Sequence, residues 1–96
     1  SIKKRNGKVA IAAKKRDLYQ CQACGFSYKR MIVESHHLDP ISKKLTVYRI
    51  SDSDLITLCP NCHSIAHLLL AKDAVFVKKD LLLAEIRRIN AYILKK

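Results

Sequence analysis

The sequence has no tryptophan, two glycines and two prolines, and 8 acidic residues against 19 lysines and arginines. So little glycine and proline excludes a linker-like or low-complexity chain, and no segment repeats. No apolar run reaches the ~18 residues of a bilayer span, so no membrane-embedded chain is expected. No signal peptide opens the chain. It begins at Ser1 without Met, which fits a processed chain or a segment of a longer one. The shortage of acids leaves a formal net charge of +11 and a pI near 9.8. That balance favours a polyanionic partner, DNA or RNA ahead of an anionic membrane surface.

What is present is 49% apolar residues, enough for a globular domain. Ninety-six residues make one domain, 1–96, whose small core needs a metal or disulfide staple. Four cysteines fall as CxxC, residues 25–58, CxxC: Cys21, Cys24, Cys59 and Cys62. Two disulfides are one reading. The paired two-residue gaps favour the other, one structural Zn²⁺ held by four thiolates in a reducing cytoplasm. Gly25 supplies the positive φ that a tight thiolate turn often needs.

Residues 1–20 are basic, with Lys14, Lys15 and Arg16 beside the acid Asp17. Val9 to Ala13 predict a helix with Asn6 as N-cap, its cations forming either a solvated face or a phosphate-contacting arm. Ile32 and Val33 open a strand that runs into His36 and His37 and ends before Pro40. Neighbouring strand residues point to opposite faces. One of these histidines can therefore bind a metal while the other does something different beside it. A short strand is expected at Leu45–Ile50 in a polar loop, and a second at Asp54–Leu58. Val75–Val77 add a strand or fill the core. Asp80 caps a last helix to about Leu94, with Leu82, Ile86, Ile89 and Ile93 facing the core.

Cys59-Pro60-Asn61-Cys62-His63-Ser64-Ile65-Ala66-His67 carries both halves of the chemistry. Pro60 suits a first helical turn. On a helix His63 and His67, at i and i+4, project from one face. A lone histidine here would be a bland surface or core residue. A pair on a strand followed by a second pair at helical spacing is much less expected by chance, and one histidine of the first pair can join His63 and His67 around one metal. Phosphodiester cleavage needs an activated water, a stabiliser for charge at phosphorus and the leaving oxygen, and a grip on the backbone. Histidine, titrating near neutrality, is a sensible general base.

The run HHLDP, then a polar loop, then DLITLCPNCH resembles the HNH nucleases, the ββα-metal group. Within that group it resembles the branch with a four-cysteine zinc site, such as the McrA-like restriction endonucleases. The resemblance covers about Cys21 to His67. It implies an α+β fold, a small zinc-stapled ββα-metal domain with motif core 21–71 and flanking N- and C-terminal helices. It makes His37 the base and His36, His63 and His67 the ligands of one catalytic divalent metal. Three imidazoles suit Zn²⁺, Ni²⁺ or Mn²⁺ better than Mg²⁺, although phosphate oxygens can complete a Mg²⁺ shell. Similarity to the colicin nucleases places Arg30 on a DNA phosphate with Glu34 holding it; a surface ion pair is the plain alternative. Asp54 stands where the family's catalytic-motif Asn stands. Asp only accepts hydrogen bonds, so it either holds the loop through backbone N–H groups or approaches the metal.

The function implied is a metal-dependent, restriction-like DNA endonuclease of a bacterium or phage. Family members are often joined to a recognition domain, so a fused or separate one is an expected partner. The alternatives are a non-catalytic zinc-bound nucleic-acid-binding module of the same fold and a toxin-like nuclease acting on RNA.

Overall fold

A computed structural model describes residues 2–38 and 51–94. The elements are α1 (Ile2–Arg16), β1 (Glu34–His37), β2 (Leu55–Leu58), α2 (Pro60–Lys72) and α3 (Lys79–Leu94), with single 3-10 turns at Asp52–Asp54 and Ala74–Val77. The strands pair antiparallel: Glu34 lies opposite Leu58, Ser35 opposite Thr57, His36 opposite Ile56 and His37 opposite Leu55. The result is a small α+β fold, consistent with the ββα-metal architecture.

Every residue of β2 is buried, although a strand exposes alternate faces. The reason is that both faces of the sheet are covered. Ile56 and Leu58 enter the main core with Ala66 and Leu69 of α2 and Leu82, Leu83 and Ile86 of α3. Leu55 and Thr57 point the other way, towards α1, whose Ala13 is fully buried. Burying a Leu or Ile side chain contributes roughly 1.5–3 kcal/mol, so these few residues carry much of the apolar stabilisation. Leu82 and Ile86 are completely buried and Ile89 packs partly buried against them, as the helical spacing predicts.

The outer edge of β2 is closed by the chain just after α1. Arg16 donates from Nη2 to the Leu55 carbonyl at 2.8 Å, Thr57 N–H donates to Asp17 Oδ2 at 3.1 Å, and Gln22 N–H donates to the Thr57 carbonyl at 3.0 Å. An open strand edge is thereby capped by side chains and loop rather than by a third strand. Lys14, Lys15 and Arg16 occupy the last turn of α1, where cations complement the helix dipole.

Several local expectations are corrected. Asn6 lies inside α1 rather than capping it. Asp80 sits in the first turn of α3, not at its cap; a negative charge is still favourable there. Of the two alternatives for Val75–Val77 the strand falls and the core-filling one holds: they form a 3-10 turn, with Phe76 packed against the core. Asp73 drives that turn by accepting the Val75 N–H at 3.0 Å. β1 begins two residues later than expected, because Ile32 takes φ +60. A left-handed β-branched residue cannot continue a strand. The tight turn before it, closed by Met31 N–H to the Tyr28 carbonyl at 2.7 Å, redirects the chain. The strand expected at Leu45–Ile50, the stop at Pro40 and the side chain of Ile93 lie outside the described residues. Among the described residues no helix is long and apolar enough to cross a membrane.

Candidate metal centres and active site

The four cysteines converge. Their sulfurs all lie within 4.8 Å of one another, positioned to bind a single metal ion. The first pair sits on a turn in which Gly25, at φ +84, donates its N–H to the Cys21 carbonyl at 2.9 Å. Any L side chain there would be strained. Cys24 N–H points at Cys21 Sγ, 3.4 Å away. The second pair uses a helix start. Cys59 is the N-cap of α2, its sulfur accepting the Cys62 N–H at 3.5 Å, with Pro60 at the first helical position. Cys24 Sγ and Cys59 Sγ are 3.7 Å apart. Tetrahedral Zn–S bonds of ~2.3 Å require sulfurs ~3.8 Å apart, so the donor set fits that ion.

The environment of the sulfurs is uneven. Burial pushes the Cys62 and Cys24 thiols up. Burial also raises Cys21, but backbone N–H donors, led by that of Cys24, outweigh it and bring the thiol below its ordinary value. A bound cation reverses the penalty at the raised positions, because thiolate is the ligand form. Two contacts from α3 were not legible in the sequence. Asn90 donates from Nδ2 to Cys62 Sγ at 3.4 Å. Arg87 donates to the carbonyls of Gln22 and Ala23 at 2.8 and 3.2 Å, clamping the first cysteine turn.

The histidines form a second cluster. His36, His63 and His67 each place a ring nitrogen within 4.8 Å of the others. Strand alternation turns His36 towards α2, and the i,i+4 spacing sets His63 and His67 over it. The ring centroids of His36 lie 5.2 Å from His63 and 5.3 Å from His67. His63 Nε2 and His67 Nε2 are 3.0 Å apart. Metal–nitrogen bonds of ~2.1 Å put neighbouring ligands roughly 3.0–3.4 Å apart, from octahedral to tetrahedral geometry. His36 is 0% exposed, and among the described residues neither ring nitrogen has a hydrogen-bond partner. Two orphaned nitrogens in the interior are costly unless something ligates them. Burial first, then the neighbouring imidazoles, push His36 down to about 4. It is therefore neutral near pH 7, the form that ligates metal.

His37 is half-buried and, by strand alternation, lies on the α1 side of the sheet with Ser35. Asp54 is not in the histidine cluster. Its Oδ2 accepts the Ser51 N–H at 2.9 Å, and its carbonyl accepts the Leu38 N–H at 3.0 Å. It thus ties Leu38 to Ser51. The Arg30–Glu34 pairing is corrected. Glu34 Oε1 is 2.7 Å from His63 Nδ1, while the Arg30 guanidinium lies 5.4 Å from the centre of the Tyr19 ring. Arg30 has φ +62, and its side chain lies away from β1, over Tyr19 in the turn after α1.

A family model described as HNH endonuclease matches residues 21–68, half of the chain, and this span takes in both clusters. No curated protein and no solved structure matches the chain.

Proposed function

The chain belongs to the HNH endonuclease family, and on that premise we propose that it is a metal-dependent endonuclease hydrolysing DNA phosphodiester bonds, restriction-like in its use. The observation that carries this reading is the convergence of His36, His63 and His67, with His36 wholly buried and both its ring nitrogens without a hydrogen-bond partner among the described residues. A nucleic-acid-binding module has no use for such a cluster. The net charge of +11 supplies attraction to a phosphate backbone.

In this reading His36, His63 and His67 hold one divalent cation: Mg²⁺, Mn²⁺, Ni²⁺ or Zn²⁺. When bound, that ion polarises a phosphate oxygen and takes up charge on the leaving 3′ oxygen. His37 is the general base, accepting a proton from water as its oxygen bonds to phosphorus and the bond to the 3′ oxygen breaks. Asp54 holds Leu38 to Ser51, and Arg30 faces a backbone phosphate. Cys21, Cys24, Cys59 and Cys62 hold a structural Zn²⁺ that joins the first turn to α2. A fused or separate recognition domain would supply sequence choice.

The test is cleavage of methylated and unmethylated plasmid with each metal, beside a gel shift in EDTA and an RNA substrate. Nicking of DNA that depends on metal supports the proposal. Binding without cleavage in every metal would leave a non-catalytic module, and cleavage of RNA alone would leave an RNA-directed nuclease.

A further inference from the structure

Among the described residues, His63 is the one member of the histidine trio whose second ring nitrogen meets a carboxylate. Glu34 Oε1 lies 2.7 Å from His63 Nδ1. The contact joins the first residue of β1 to the first turns of α2, so it spans the two elements that carry all three ligands. An ionised carboxylate only accepts, so the proton must sit on His63 Nδ1. Nε2 of a neutral ring is then a lone pair, and it already faces His67 Nε2 at 3.0 Å. Sequence similarity assigned Glu34 to Arg30; the geometry gives it other work.

We propose that Glu34 is a positioning residue: its carboxylate takes the Nδ1–H of His63 and fixes the ring so that Nε2 faces a divalent cation shared with His36 and His67. This rests on the three-histidine reading above. The Glu34 side chain is 50% exposed and that of His63 is 21% exposed. Glu34 therefore contributes little to the core, and its replacement should leave the fold and the four-cysteine site intact. Such carboxylates orient the ring and make the ligating nitrogen more basic. Losing one typically lowers metal affinity about 10–100-fold.

The experiment titrates Ni²⁺ into the zinc-loaded chain by calorimetry, for the parent, Glu34→Ala, Glu34→Gln and His63→Ala. In parallel, long-range ¹H–¹⁵N correlation of the zinc-loaded forms, before Ni²⁺ is added, reads the His63 tautomer. Glu34→Ala should weaken Ni²⁺ binding about 10–100-fold and release His63 into a tautomer mixture. Glu34→Gln keeps an acceptor oxygen, so it should hold the Nδ1–H tautomer and recover much of the affinity. If Glu34→Ala binds Ni²⁺ like the parent, or parent His63 carries its proton on Nε2, the inference is overturned while the site reading stands. If the parent itself binds no Ni²⁺, or binds it equally well as His63→Ala, the three-histidine reading falls and takes this inference with it.

Discussion

Adjacent histidines on β1 meet opposite surroundings. His36 is sealed against α2, its nitrogens without a hydrogen-bond partner among the described residues, while His37 is half-buried on the α1 side. The difference predicts a division of labour. His37→Ala should lower cleavage by about 10²–10⁴, the usual contribution of a general base, and keep the fold, DNA binding and the second metal. His63→Ala should lose both cleavage and that metal while retaining the four-cysteine zinc. Metal stoichiometry set against nicking rate reads both variants. If His37→Ala releases the metal and His36→Ala keeps it, the roles are exchanged. If both variants cleave like the parent, the cluster is not the active site.

Between elements, the join of α1 to β2 depends on Asp17. Its side chain is 8% exposed and accepts the Thr57 N–H as well as two bonds from Arg16. Burial pushes this carboxyl up, but the Arg16 and Thr57 hydrogen bonds outweigh it and hold the group below its ordinary value. Asp17→Ala leaves a buried strand N–H without its acceptor and should cost about 1–3 kcal/mol in urea unfolding at pH 7. The sign with pH follows from the lowered value. In acid the unfolded chain takes up the proton before the folded one does. The stabilisation is therefore complete above about pH 4 and is lost as the pH falls through the folded value. The gap in stability between parent and variant should narrow as the pH falls below about 4. An unchanged gap at low pH would show that Asp17 acts through packing rather than charge.

For the molecule as a whole, metal and charge set the behaviour. The cysteine site links the turn after α1 to the start of α2, and Arg87 and Asn90 bring α3 to the same place. Three helices thus lean on one small cluster. Metal-binding free energy in such a domain is folding free energy. A strong chelator, or Cys59→Ala, which also removes the N-cap of α2, should unfold much of the chain by circular dichroism. Retention of the native spectrum without metal would refute a structural ion. Binding to DNA should be mostly backbone contact, given the net charge of +11. The log–log dependence of affinity on salt should have a slope of about −0.9 for each phosphate contacted. A flat response would rule that out. Replacing Lys14, Lys15 and Arg16 together should weaken all DNA sequences alike if α1 faces the duplex.

The features legible from the sequence are those set by the period of a single element. The i,i+4 spacing of His63 and His67, the alternation of His36 and His37 and the apolar face of Leu82, Ile86 and Ile89 all follow from backbone repeat. A residue's neighbours within its own helix or strand are determined by bond geometry, whatever the rest of the chain does. The tertiary structure decided the contacts between elements. Glu34 turns to His63 rather than Arg30 because Arg30 leaves the strand direction at a left-handed residue, while α2 brings His63 over the start of β1. Asp17 and Arg16 close β2, and Asn90 reaches Cys62, only once the helices have docked. Those partners are far apart in sequence. No local period relates them; the packing of the small core sets the distance between them.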